Sequence, residues 1–161
     1  MTKILDRFEK VIKLICAILF IGIMILMAAQ VFSRYLFGHA IPWSEHASRA
    51  LFIWMIMLYA GVLVRNSGNI GFDLLAKALP PVVSDIFALI CDAGIVAFSA
   101  YWGINAVKLC DSLSKLKFAD LKLPYNTIYA AEPVGAAIVC IFGIEVIVRR
   151  IIAIRKDGRK N

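Results

Sequence analysis

Charge is scarce in this chain: 18% of its 161 residues are Asp, Glu, Lys or Arg, where a soluble domain carries about 25%. Histidine occurs twice and cysteine four times, scattered along the sequence, which leaves little material for metal or haem chemistry. No glycine-rich phosphate loop, nucleophile elbow or kinase-type signature is present. These shortages argue against an enzyme and against a cofactor. Apolar surface is abundant instead, at 61% of residues and a mean hydropathy of +0.82. A domain this short cannot hide so much of it from water. The bilayer is the solvent that the composition implies. The net charge of +7 does not point to nucleic acid, because the basic residues cluster at the ends of apolar runs.

A transmembrane helix needs about 20 mostly apolar residues to cross about 30 Å of hydrocarbon. Residues 14–33 are free of charge. Residues 50–64 form a shorter charge-free run between Arg49 and Arg65 that reaches spanning length if the helix starts near Ser44. Residues 86–107 are interrupted only by Asp92, and residues 123–144 only by Glu132. The sequence predicts a single all-α integral membrane domain over 1–161, with four transmembrane helices over about 14–36, 44–65, 86–107 and 124–147. The first apolar run is too long for a signal-peptide core and is expected to stay as an uncleaved helix. In this topology twelve Lys and Arg residues fall on one side, in both tails and the second connection, against six on the other. Both termini are therefore expected in the cytoplasm.

Amphipathic segments flank the spans. Ile4, Leu5, Phe8, Val11 and Ile12 recur at helical spacing among basic residues. They fit either a helix lying on the anionic leaflet or the polar first turns of the first span. Residues 69–79 read as a short interfacial helix ended by Pro80-Pro81. Leu109, Leu113, Leu116 and Leu123 make a second stripe, either an extension of the third helix or a helix flat on the membrane. Membrane lipid is accordingly an expected partner.

Intramembrane charges are costly, at about 2.5–3.5 kcal/mol for Arg, Lys or Asp at a helix centre on insertion scales. Asp92 and Glu132 enter from opposite surfaces, so they are not expected to share one ion site. Glu132 lies at a depth similar to Arg49, and Glu45 precedes Arg49 by one turn. An ion-pair cluster of Glu45, Arg49 and Glu132 beside interfacial Trp43 is the expectation, either holding helices together or serving a coupling ion or substrate. Asp92 has no obvious basic partner in its own chain. Hydrogen bonding inside the bundle, protonation and contact with another polypeptide all remain open for it. Arg34, Arg49 and Asp92 are the candidates for a partner interface, since buried polar contacts help helices associate in lipid. His39 and His46 flank the Pro42-Trp43 turn without converging ligands, and no disulfide is implied by Cys110.

An ordered pattern runs through Gln30-Val31, Arg34-Tyr35, Pro42-Trp43, Glu45, Arg49, Phe52, Trp54, Gly61 and Arg65. It continues with Ile70 and Asp73-Leu74-Leu75, and later with Pro124, Tyr129, Pro133 and Gly135. This resembles the DctQ-type small membrane subunit of tripartite ATP-independent periplasmic (TRAP) transporters, over essentially the whole chain. Two positions depart from the family pattern. His46 stands where a second glutamate is frequent, and Asn69 where a histidine commonly precedes the isoleucine. The resemblance implies a non-catalytic scaffold and anchor in the bacterial inner membrane. Its partners would be a large multi-span permease subunit carrying the sodium and substrate sites, and a periplasmic substrate-binding protein. Import of an organic acid, sialic acid or a C4-dicarboxylate, would be driven by sodium. An autonomous homo-oligomeric exporter using an intramembrane carboxylate is the alternative, and a respiratory anchor lacks its mid-span histidines.

Overall fold

A computed structural model of the protein describes residues 2–38, 42–67, 81–113 and 126–157. Lipid offers no hydrogen-bond partners to a backbone, so long apolar runs must satisfy their own N–H and C=O groups as helices. The chain does so in α1 (Thr2–Phe37), α2 (Pro42–Ser67), α3 (Pro81–Leu113), the single turn α4 (Asn126–Tyr129) and α5 (Ala131–Asp157). Helix α1 ends at Gly38, whose φ of 68° is the left-handed conformation that closes a helix C-terminus at least cost. Prolines open α2 and α3 at the first position, where no donor is lost. Between α4 and α5 the path stays helical through bonds from the Ala130 N–H to the Asn126 carbonyl (2.8 Å) and from the Val134 N–H to the Ala130 carbonyl (3.4 Å). Pro133, with no N–H and a ring that crowds the carbonyl four residues back, accounts for the break at Ala130.

The amphipathic lead-in is continuous with α1, so it forms the polar first turns of that helix. At about 1.5 Å per residue, α1 and α3 reach about 50 Å, well beyond the hydrocarbon thickness. The stripe beginning at Leu109 starts as an extension of α3 to Leu113. The interfacial helix expected over 69–79, the rest of the second stripe (114–125) and His39 lie outside the described residues. Three described helices are long and apolar enough to cross a membrane: Lys3–Leu36, Trp43–Asn66 and Ile86–Leu113. The fourth segment is displaced from its expected bounds of 124–147, because the continuous helix begins only at Ala131 and runs on to Asp157 through Glu145, Arg149 and Arg150.

The long helices form a row in which α1 packs on α2, α2 on α5, and α5 on α3. The last helix is thus interior to the row. Ala131, Ala136, Ile138, Val139, Phe142 and Val146 of α5 are buried, while α1 and α3 expose many large apolar side chains. Glycine sets the α2–α5 contact. A Cβ on Gly61 would sit 3.0 Å from the Ile138 backbone carbon, and one on Gly135 would sit 2.7 Å from the Met57 carbonyl oxygen. Without a hydrophobic drive between helices in lipid, this close approach of backbones supplies the packing. Ile12 and Cys16 of α1, Val62 of α2, and Ile138 and Phe142 of α5 join the three helices in one buried cluster. The Trp54 indole N–H donates to the Thr127 carbonyl at 3.1 Å and ties α2 to α4. All four cysteines are free thiols.

Candidate functional site

Two polar regions lie toward opposite ends of the packed helices. The first gathers near the start of α1, at the last turn of α2 and in the second half of α5. Arg65, in the last turn of α2, has only 4% of its side chain exposed. Its Nη2 lies 3.0 Å from Glu145 Oε1, and its Nε stands 2.8 Å from Glu145 Oε2, an ion-pair separation without hydrogen-bond alignment. The same guanidinium donates to Asp6 (2.5 Å) and to Glu9. Its Cζ lies 5.4 Å from the centroid of the Phe142 ring, in cation–π reach. Lys13 pairs with Glu9 at 2.5 Å, Arg149 pairs with Glu145, and the Asn66 side-chain amide donates to Glu9 at 3.1 Å. The carboxylates of Asp6, Glu9 and Glu145 are matched by the cations of Lys13, Arg65 and Arg149. The set closes on itself as a neutral lock across three helices. The planar fork of five guanidinium N–H donors suits one side chain to serving three carboxylates at once.

Asp92 sits next to this lock, on α3. Sequence reasoning left it without a basic partner in its own chain, and the structure corrects that. Arg150 Nε donates to Asp92 Oδ2 at 2.8 Å, with both side chains largely buried. Arg150 lies just past the expected end of the fourth span at 147. Its long stem reaches back along α5 to the carboxylate, as cationic side chains near membrane boundaries do. The ion pair holds α3 to α5.

The opposite end is sparser. Arg34 is exposed in the last turn of α1, and Trp43 is half-exposed at the start of α2. Arg49 stands 3.5 Å from Glu45, and both side chains are mostly exposed. The expected cluster of Glu45, Arg49 and Glu132 does not form among the described residues. Glu132 instead lines a groove of about 250 Å³ between α2 and α3, with Ser99, Trp102 and Ala136. Similar depth was the only ground for joining Arg49 to Glu132, and depth says nothing about which way each helix turns its side chains. No group of three or more His, Cys, Asp or Glu side chains converges as a metal site among the described residues.

The Arg65 lock was missed by the sequence reading. Its local parts were visible: Glu9 and Lys13 one turn apart, Glu145 and Arg149 likewise, and Arg65 ending a charge-free run. Their meeting required knowing that α5 packs beside α2 rather than at the end of the row.

Residues 23–153 match the family of tripartite ATP-independent periplasmic transporters, DctQ component. The C4-dicarboxylate TRAP transporter small permease protein DctQ of Vibrio cholerae is 30% identical over 146 residues, covering 74% of this chain and 62% of that protein. The chain thus spans less than two thirds of that relative's length. A putative TRAP transporter small permease protein of Haemophilus influenzae is 26% identical over 132 residues, covering 81% of each. The sialic acid TRAP transporter permease protein SiaT of Haemophilus influenzae is 36% identical over 62 residues, which are 38% of this chain and 10% of that protein. A family of transporters rather than enzymes, together with three membrane-length apolar helices, fits a multi-pass protein of the inner membrane. With most of its length inside the family match and its helices ion-paired into one row, the chain belongs to the DctQ-component family of TRAP transporters.

Proposed function

We propose that this chain is the scaffold subunit of a sodium-driven organic-acid importer. It anchors a large multi-span permease that carries the transport sites and receives substrate from a periplasmic binding protein. The Arg65 lock carries this reading. Charged side chains that a small autonomous transporter would expose to a central cavity are spent here on joining helices: Arg65 to Asp6, Glu9 and Glu145, and Arg150 to Asp92.

The lock also supports the topology. It joins the first turns of α1 to the second half of α5, which supports the start of α1 and the later part of α5 sharing one face, as an even number of spans requires. Helix α5 runs between α2 and α3 in the row and serves as the fourth span. The excess of Lys and Arg on that face assigns it to the cytoplasm. The longer overlap with the Vibrio cholerae C4-dicarboxylate protein, against 62 residues shared with SiaT, favours a C4-dicarboxylate over sialic acid as the imported acid.

Purification of the tagged chain from its native membrane in mild detergent, read by mass spectrometry, tests the proposal. A stoichiometric large permease is the expected companion. Reconstituted with that permease and the binding protein, the complex is expected to take up labelled succinate only with an inward sodium gradient. Recovery of a homo-oligomer alone overturns the scaffold reading.

A further inference from the structure

Helices α2 and α3 both pack on α5 but make no extended contact with each other. The gap between them is a groove of about 250 Å³, floored by Glu132 and Ala136 of α5 and walled by Met57 and Ala60 of α2 and Ser99 and Trp102 of α3. Apart from the Ser99 hydroxyl and the Glu132 carboxylate, its lining side chains are apolar. That carboxylate is half-buried, and among the described residues it has no hydrogen-bond or ion-pair partner. Every other carboxylate set into the described row, on Glu9, Asp92 and Glu145, is paired with a cation. An ionised carboxylate beside lipid is costly unless a cation meets it.

We propose that this groove seats a membrane helix of the large permease, and that the helix presents a Lys or Arg to Glu132. The inference rests on the scaffold reading and names the surface that serves it. Charge selects the occupant. A second copy docked symmetrically would place groove against groove, since a twofold interface uses the same patch on both subunits. Two Glu132 carboxylates would then approach each other without gaining a cation. Arg49 is engaged with Glu45, and Arg34 belongs to α1 at the far edge of the row. A lipid chain would fill the apolar walls but leave the carboxylate unmatched. Small side chains at Ala60, Ser99 and Ala136 let a helix backbone come close, as membrane helix pairs require.

The test uses the intact complex in native membranes. The photo-crosslinker p-benzoylphenylalanine is placed at Ser99 in one variant and, as a control, at exposed Ile25 on α1 in another, both with Glu132 unchanged. Irradiation is expected to join the Ser99 variant to the large permease more than about tenfold better than the Ile25 variant. Glu132→Lys is expected to abolish that adduct, and Glu132→Asp to retain it. Equal adducts from both positions, an adduct to a second copy, or an adduct to lipid alone overturns the groove assignment. If the permease still copurifies with the unmodified chain in that case, the scaffold reading stands and only the surface is wrong. If no permease copurifies at all, both fall together.

Discussion

The packed helices treat charge in opposite ways at their two ends. At one end, three helices pool three carboxylates and three cations around a buried Arg65, and a further pair, Asp92 with Arg150, fixes the fourth. At the other, Arg49 and Glu45 pair in the open, Arg34 is exposed, and Glu132 stands in a groove without a cation among the described residues. About 20 Å of α5 separates Glu132 from Glu145, at the helical rise per residue. One helix thus carries a satisfied carboxylate and an unsatisfied one. The closed end holds this chain together, and the open end is the one with polar groups left to offer a partner.

That contrast can be broken most sharply at Arg65. Arg65→Ala removes the shared cation and leaves Glu9 and Glu145 buried with less compensation. Removing one partner of a buried ion pair costs about 3–5 kcal/mol. The purified variant is therefore expected to melt well below the parent chain in a detergent thermal-stability assay, and Arg65→Lys is expected to recover only part of the loss. Melting unchanged by Arg65→Ala would mean that the lock is ornamental.

Asp92→Ala is the intermediate case. It takes one carboxylate from a single buried guanidinium rather than one cation from two buried carboxylates, and the cost expected for losing a hydrogen bond to a charged group is about 1.5–3 kcal/mol. Because Arg150 lies on the same chain, the loss should be visible in the isolated protein, without any partner present. A loss seen only in the assembled complex would instead return Asp92 to the role of partner contact.

Arg49→Ala should do least. Its pair with Glu45 is exposed, and such pairs contribute about 0–1 kcal/mol. No shift in the melting temperature of the isolated chain is expected. A shift as large as that of Asp92→Ala would erase the distinction between the two ends.

Much of the fold was legible in the sequence because the bilayer makes strong demands on it. Residues 14–33 and 86–107 had to be helical once they were to cross lipid, and both lie inside single long helices. The lead-in from Ile4 to Ile12 carried a helical period, and α1 absorbs it. The start of the last helix was less legible. Pro133 marks a helix start or a kink equally well, and here it separates a single turn from α5. The polar residues were the least legible. Asp92 was singled out as needing a reason, but its partner lies 58 positions away on a helix whose place in the row no local pattern encodes. Glu132 was joined to Arg49 on depth alone, and depth is one coordinate of three.

The sequence by itself determined the solvent and the helical secondary structure, because both follow from composition and spacing along the chain, and its ordered motif from Gln30 to Arg65 carried the resemblance to the family that the family match bears out. The tertiary structure decided which helix stands beside which. With α5 placed between α2 and α3 through Gly61 and Gly135, Arg65 meets Glu145, Arg150 meets Asp92, and Glu132 faces an open groove. In lipid that order is set by backbone approach at small residues and by charge pairing across helices. Both depend on the rotation of each helix about its own axis, which hydropathy does not record.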